Sequence, residues 1–351
     1  MDQFKTQKYI NIWLLTNILM IALMVIIGGI TRLTESGLSM IDWNLIKGIV
    51  PPITENQWIE KFEEYKLFPE YILINYTMTL EEFKKIFFWE YLHRVWGRLI
   101  GITFLLPLIF FWYKKRLTSN MKKYFAILLL IGCFQGFMGW YMVKSGLMDK
   151  PDVSQYRLAA HLSIAFTIYV ILLFFLWNNF RTINESYKII SHENLDIVNY
   201  IIPSFLVIFL TIIYGAFVAG TNAGLVYSNF PLMGETIFPP EALEITPTWR
   251  NFFENLGLIQ FNHRFLGTLS LILVFLTWLK ARNLSKGSYL KMSINILLFF
   301  IILQYSLGII TLKLHVPIYL GVIHQFGSLI VLTCLTVSIS EIYTNKKGAI
   351  R

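Results

Sequence analysis

The sequence predicts an all-α polytopic membrane protein whose eight transmembrane helices form two pseudo-symmetric four-helix bundles. Three observations support this fold class. The 351 residues are 56% hydrophobic and only 15% charged, whereas a soluble globular protein carries about a quarter charged residues. Apolar stretches long enough to cross a membrane recur along the chain, and several polar residues recur at matched positions in its two halves.

Each span is predicted from a mostly apolar run of about 20 residues, the length that crosses a hydrocarbon core of about 30 Å. The first run is too long for a cleaved signal peptide and lacks a small-residue cleavage site, so we expect a retained helix. In chain order, the predicted spans are residues 11–31, 89–113, 124–143, 157–178, 199–219, 262–280, 292–312 and 318–340.

The net charge of +9 indicates membrane topology and no nucleic-acid partner. Basic residues concentrate in alternate connections, whereas acidic residues concentrate in the others, chiefly in residues 33–88. Basic connections face the cytoplasm. We therefore predict a protein of the cell inner membrane, surrounded by lipid, with both termini cytoplasmic.

The long connection at 33–88 mixes aromatic and charged residues around Pro51-Pro52, which predicts an ordered outer cap. A polar stretch later divides the chain. The predicted domains are a first bundle at 1–180, a cytoplasmic linker at 181–198 and a second bundle at 199–351. Cys133 and Cys334 stand alone in apolar spans, which predicts small core residues and no disulfide.

An internal repeat supports the division into two bundles. Two histidines, a glutamine and a proline pair of the first half have counterparts in the second half, in the same order and at similar separations. The matched positions are His93 and His263, Gln135 and Gln304, His161 and His324, and the proline pairs at 51–52 and 239–240.

Four histidines open the even-numbered spans, which predicts a similar depth near the outer face: His93, His161, His263 and His324. Each half can bring two imidazoles together across its bundle core. Such a pair can ligate haem iron, zinc or copper, or each histidine can form local hydrogen bonds at a helix start. Zinc and copper sites usually recruit three or four ligands. Two facing histidines favour a flat macrocycle, with room provided by Gly97, Gly267, Gly321 and Gly327.

Charged residues flank these histidines. Four arginines are placed to bind carboxylates such as haem propionates, or to anchor at lipid headgroups: Arg94, Arg98, Arg157 and Arg264. Glu90 precedes His93 by one helical turn, although acids also occur at solvated helix starts. Gln260 takes its place in the second half. This asymmetry suggests that one site performs chemistry and the other transfers electrons. His192 and His315 are predicted to be surface residues.

At these residues the chain resembles the heme A synthase (CtaA) family, in the branch shared by alphaproteobacteria and mitochondria. The similarity covers nearly the whole chain, and the segment with EYLHR followed by WGR is its most specific part. The matching segments are TRLTESGLSM with Trp43 and Pro51-Pro52, FFWEYLHRVWGRLIG, YRLAAHL, Asn262-His263-Arg264 and His324-Gln325. The resemblance implies two four-helix bundles related by pseudo-twofold symmetry.

The resemblance implies an oxidoreductase that acts on a CH3 group, oxidising the C8 methyl of heme O to the formyl of heme A. Two successive hydroxylations would be followed by loss of water. It also implies that His263 and His324 ligate the iron of a heme b cofactor. His93 and His161 would hold the substrate heme iron, and Glu90 would complete the catalytic group. The implied partners are heme O synthase and an electron donor, and a homo-oligomer is left open.

One departure from the family pattern concerns cysteine. Some bacterial members carry a cysteine pair in the first outer loop, and residues 33–88 contain none, so a mechanism that needs those thiols does not apply here. Two other functions compete with synthesis. One is a diheme b-type electron carrier linked to quinol, and the other is a haem transporter.

Overall fold

The computed structural model describes residues 3–41, 47–146, 153–183, 196–285 and 288–349. Over these residues the fold is built from α-helices joined by turns and short 3-10 segments, with no named strand. In chain order the helices are α1 (Gln3–Leu33), α2 (Glu55–Lys66), α3 (Pro69–Leu73), α4 (Leu80–Tyr113), α5 (Ser119–Gly146), α6 (Gln155–Ile183), α7 (Val198–Gly220), α8 (Asn251–Glu254), α9 (Leu256–Ala281), α10 (Tyr289–Lys313) and α11 (Ile318–Ala349).

Eight of the described helices are long and apolar enough to cross a membrane, which confirms the predicted spans. They are α1, α4, α5, α6, α7, α9, α10 and α11. The chain is therefore an all-α polytopic membrane protein. The small helices α2, α3 and α8 lie in the connections that precede α4 and α9.

The start of α4 differs from the prediction. The helix begins at Leu80, well before the apolar run at residue 89, because Thr79 and Glu82 form a capping box. The Glu82 carboxylate accepts a hydrogen bond from the Thr79 N–H at 2.8 Å. His93 therefore lies about three and a half turns into its helix, and its predicted position at a helix opening is wrong.

The described chain divides into two compact units. One is Leu23–Ala165, and the other joins Met1–Ala22 to Phe166–Arg351. We call them the first unit and the second unit. The predicted linker at 181–198 lies mostly outside the described residues, so the predicted bundle boundaries stay predictions.

The second unit contains α7, α9, α10 and α11, and hydroxyl pairs connect these helices. Three pairs lie between neighbouring helices: Ser204 with Thr277 at 3.1 Å, Thr211 with Ser270 at 3.1 Å, and Ser293 with Ser338 at 2.7 Å. Small hydroxyl residues let membrane helices approach closely and add interhelical hydrogen bonds. These contacts fix the helices that carry His263 and His324.

The first unit contains the cap, which is ordered where the structure describes it. Five buried side chains form its core: Met40, Phe62, Tyr65, Phe83 and Phe87. Two of them come from the first turns of α4, so the cap packs on the extension of that helix. Asp42 and Trp43 fall outside the described residues.

The two cysteines have different surroundings, although both are free. Cys334 is buried, as predicted, whereas Cys133 lies on an exposed side of α5, so the prediction of a core position for Cys133 is wrong. In a membrane helix the lipid-facing and core-facing sides are both apolar. An isolated apolar residue therefore does not reveal its side.

Candidate functional site

The second unit brings two of the predicted histidines together. The imidazole rings of His263 on α9 and His324 on α11 have centroids 6.3 Å apart and lie at 83° to each other. Bonds of about 2 Å from two facing imidazole nitrogens to one metal ion place the ring centres roughly 6 Å apart. The spacing of this pair therefore fits two imidazoles that would hold a single iron.

The second nitrogen of each ring is held by the neighbouring helix. Nδ1 of His263 lies 3.0 Å from the main-chain oxygen of Thr211, and Nδ1 of His324 lies 3.2 Å from Nε2 of Gln304. A metal-ligating histidine usually donates its other ring N–H to an oxygen. The Thr211 oxygen fits this role for His263, and the His324 ring also has a main-chain hydrogen-bond partner in Gln304. In both rings Nε2 is the nitrogen left to bind a metal.

Glycines allow all four histidines to pack against a helix backbone. A Cβ added at Gly215 would lie 3.2 Å from Cε1 of His263, and one at Gly308 would lie 2.9 Å from Cε1 of His324. In the first unit, Gly139 has the same relation to His161, at 3.3 Å. The fourth glycine, Gly28, is 3.4 Å from Nε2 of His93 by the same measure. We call these four residues the contact glycines.

The glycines that the sequence suggested have other surroundings. A Cβ at Gly97 would meet Met24, one at Gly327 would meet Gln304, and one at Gly267 would face open space. Gly321 lies in the first turn of α11, where its N–H donates to Pro317. A Cβ at Gly267 would have open space beside it, and a role of these four glycines in making room for a macrocycle stays a prediction.

The first unit contains the other predicted pair. His93 on α4 and His161 on α6 lie near each other. His93 approaches its contact glycine with Nε2 and Cδ2, whereas the other three histidines approach theirs with Cε1. The two units therefore hold their first histidine in different ring orientations. Ligation of one iron by this pair stays a prediction.

Glu90 is buried in the first unit, with 2% of its surface exposed. Its carboxylate accepts hydrogen bonds from the Ser39 hydroxyl at 2.7 Å and the Met40 N–H at 2.6 Å, and it pairs with Arg94. Arg94 also donates to the Met40 carbonyl at 2.6 Å. The alternative of a solvated carboxylate at a helix start is wrong. Glu90 and Arg94 together fasten the segment that follows α1.

The second unit uses the corresponding residues in the same way. Gln260, also 2% exposed, donates from Nε2 to the carbonyl of Tyr227 at 2.9 Å. Arg264 donates to the carbonyls of Tyr227 and Asn229, each at 2.9 Å. The loop at Glu90 offers N–H and O–H donors, whereas the loop at Gln260 offers carbonyl acceptors. The difference between the two side chains therefore has a structural reason that does not depend on catalysis.

The four predicted arginines separate into two groups. Arg94 and Arg264 direct donors to main-chain carbonyls of their own units. Arg157 lies over the ring of Tyr141 at 4.6 Å and donates to Ser145. Arg98 lies beside Gly48 in the cap. Binding of propionates by these arginines stays a prediction.

The remaining donors favour paired imidazoles over a larger metal cluster. Across the described residues, no group of three or more His, Cys, Asp and Glu side chains could hold a metal ion. His315 is exposed in the turn after α10, and His192 lies outside the described residues. Two imidazoles with their Nδ1 atoms occupied and a glycine behind each ring are a donor set that suits a haem iron.

Comparison with known proteins identifies the family of the chain. Residues 11–336 match the COX15-CtaA family, which is described as cytochrome oxidase assembly protein. The heme A synthase of Nitrosospira multiformis is 42% identical over 333 residues, which cover 95% of this chain and 93% of that protein. Human heme A synthase COX15 is 43% identical over 334 residues, which cover 93% of this chain and 81% of that protein. A Wolbachia heme A synthase is 43% identical over 327 residues, which cover 93% of this chain and 94% of that protein. The chain therefore belongs to the COX15-CtaA family of cytochrome oxidase assembly proteins.

Proposed function

We propose that this protein is a heme A synthase, which converts heme O to heme A at the C8 methyl group. Two successive hydroxylations would give a gem-diol, and loss of water would leave the formyl. The observation that carries the proposal is near full-length similarity to relatives named heme A synthase, at 42–43% identity. The product would serve the assembly of cytochrome oxidase.

We assign a resident heme b to the second unit. His263 and His324 would ligate its iron, since their ring spacing, their main-chain hydrogen-bond partners in Thr211 and Gln304, and their contact glycines fit that role. When bound, heme b would supply one-electron transfer. The protein's own contribution is to orient the two imidazoles and to keep water from the site.

We assign the substrate heme O to the first unit, where His93 and His161 would hold its iron. Glu90 is buried and fully engaged by the Ser39 hydroxyl, the Met40 N–H and Arg94. These contacts favour a positioning role for Glu90 over direct proton transfer, because a reacting group would have to displace one of its partners. Glu90 would hold the segment after α1 in place beside the α4 helix that carries His93.

The same proposal includes the orientation in the membrane and the partners. Both termini would face the cytoplasm, and the heme sites would lie toward the outer face, as the distribution of basic residues predicts. Heme O would arrive from heme O synthase. A separate electron donor would exchange electrons with the second unit.

Pigment analysis after co-expression with heme O synthase tests the function. We expect hemes B, O and A together in the purified protein, and heme B without heme A in the His93→Ala/His161→Ala double variant. Heme B alone in the wild-type protein would indicate a diheme electron carrier. One stable heme B with an exchangeable, unmodified second haem would indicate transport.

A further inference from the structure

Tyr305 on α10 connects that helix to α9. Its hydroxyl lies 2.9 Å from the hydroxyl of Thr268 on α9. Because the Thr268 hydroxyl donates to the main-chain oxygen of Arg264 at 2.9 Å, Tyr305 is the donor in the pair. Phe230 lies in the loop that Arg264 holds, and its ring meets the Tyr305 ring edge to face, with centroids 6.2 Å apart. Side chains from two helices and a loop therefore join α9 to α10.

The first unit has a glycine at the position of Tyr305. In both units, the contact glycine for the second histidine lies three residues further along the same helix, which is Gly139 after Gly136 on α5 and Gly308 after Tyr305 on α10. A Cβ added at Gly136 would have nothing within 4 Å. The first unit therefore has open space where the second has a side chain that reaches the neighbouring helix.

The helices on either side of this position are covered to different extents in the two units. In the most apolar stretch of each helix, 11% of the residues are buried in α4 and in α5, against 28% in α9 and 22% in α10. In membrane proteins, close packing and interhelical hydrogen bonds hold helices together. A bulky apolar ligand therefore meets less resistance between α4 and α5 than between α9 and α10.

We propose that Tyr305 retains the resident heme of the second unit, whereas Gly136 leaves the first unit open to exchange of its heme substrate through the membrane. This inference rests on the proposed heme sites. A pair of histidines is present in each unit, so the histidines alone do not distinguish a permanent cofactor from a substrate that enters and leaves. The contact of Tyr305 with Thr268 supplies a difference, because α9 and α10 must separate before a macrocycle can leave between them.

Transfer of heme to apomyoglobin measures retention in the full-length protein purified with its heme, at a temperature at which the wild type loses heme within hours. Tyr305→Phe and Thr268→Val each remove the hydrogen bond and keep the shape of the side chain. We expect heme b to leave about threefold faster in each, which corresponds to ~0.6 kcal/mol for an interhelical hydrogen bond in a membrane. Tyr305→Ala also removes the ring and should lose heme about tenfold faster or more.

Thr277→Val is the matched control for the second unit. It makes the same substitution on the same helix and removes the hydroxyl pair with Ser204, which connects α9 to α7 and not to α10. Its rate of heme loss should equal that of the wild type. An equal acceleration in Thr277→Val would show that any lost hydroxyl pair on α9 loosens the site, and would overturn the specific role of Tyr305.

Gly136→Tyr tests the first unit by placing the larger side chain there. After co-expression with heme O synthase, we expect this variant to contain less heme O and heme A than the wild type and an unchanged amount of heme B. Gly136→Ala is its control, because the alanine methyl group has open space around it. The pigments of Gly136→Ala should match those of the wild type.

Wild-type rates of heme loss in Tyr305→Phe, Thr268→Val and Tyr305→Ala would overturn the inference, as would wild-type contents of heme O and heme A in Gly136→Tyr. Either outcome leaves the proposed heme sites and activity intact. The proposed activity fails separately if the wild-type protein contains no heme A.

Discussion

The carboxylate of Glu90 accepts a hydrogen bond from the main-chain N–H of Met40 at 2.6 Å, across fifty residues of sequence. Arg94 completes the contact by pairing with the same carboxylate and donating to the Met40 carbonyl. Charge-assisted hydrogen bonds of this kind are roughly twice as strong as neutral ones. Glu90, which we expected to take part in the chemistry, therefore connects α4 to the segment after α1.

Replacing Glu90 with alanine should arrest heme A production while heme b is retained. The variant leaves Arg94 buried without its partner, which typically costs about 3–5 kcal/mol, and it releases the segment at Met40. Pigment extraction measures hemes A and O, and the reduced-minus-oxidised spectrum measures heme b. Normal heme A output would remove Glu90 from the mechanism.

Glu90→Gln separates the positioning role from proton transfer. The amide oxygen can still accept a hydrogen bond from the Met40 N–H, so a variant of a positioning residue should keep part of its heme A output. Ser39→Ala removes only one hydrogen bond to Glu90 and should lower the stability of the protein by about 1 kcal/mol. An acid that transfers a proton would be as inactive in Glu90→Gln as in Glu90→Ala. Heme A output from the two variants at equal expression decides between these roles.

His263→Ala should abolish the low-spin heme b spectrum, because one of the two residues proposed to hold the iron is lost. His315→Ala is the control, since this histidine is exposed in a turn, and its spectrum should equal that of the wild type. Optical spectra of the purified proteins make the comparison. An unchanged spectrum in His263→Ala would reverse the assignment of the two units.

Gly308→Ala should weaken heme b binding, because the new methyl group would lie 2.9 Å from Cε1 of His324 and push the ring away. Gly132→Ala is the matched control, since nothing lies within 4 Å of its added Cβ. Alanine favours a helix over glycine by about 1 kcal/mol, so the control should be neutral or stabilising. Heme retention during dilution or dialysis measures the difference, and equal retention in the two variants would contradict the role of the contact glycine.

The cap should lose stability in alkali through Tyr65. Burial, and then the neighbouring Glu70 carboxylate, raise the pKa of Tyr65 above its ordinary value. Because the pKa of Tyr65 is higher in the folded state, its contribution to the stability of the cap is fully present below about pH 10, the pKa of an unfolded tyrosine. That contribution decreases as the pH rises above this value. Subtilisin cleavage of the cap should therefore accelerate between about pH 9.5 and 11, after normalisation to an unfolded substrate.

Tyr65→Phe removes the titrating group and should remove this pH dependence. It should also lower the stability of the cap at every pH, because Glu70 loses the hydrogen bond from the Tyr65 hydroxyl at 2.9 Å. Tyr76→Phe is the control, since Tyr76 is exposed, and it should keep the pH dependence of the wild type. The same alkaline acceleration in Tyr65→Phe would assign the effect to another group.

Local patterns predicted most of the fold. All eight spans follow from the length of apolar runs, and even the early start of α4 had a signal in Thr79 and Glu82, which have the spacing of a capping box. The histidine pairs followed from the repeat. The partners of Glu90 did not, because Ser39 and Met40 come from a distant segment whose backbone direction no local pattern specifies.

The contact glycines were within reach of the sequence, although the prediction did not include them. Gly28, Gly139, Gly215 and Gly308 each lie in the span that precedes their histidine, a relation that holds four times in four. Glycines on the histidine's own helix drew attention instead. How closely a histidine ring approaches a neighbouring helix depends on the residues of that neighbour. The glycines of the span before each histidine therefore indicate where its ring can pack.

The continuous course of α4 from Leu80 has a mechanical consequence. Phe83 and Phe87 of the cap core and the imidazole of His93 lie on the same continuous helix, and Pro107 comes after all three. A force applied at the start of α4, such as that of an antibody fragment bound to α2, would be transmitted to the His93 imidazole as rotation or tilt and would not be absorbed by a hinge.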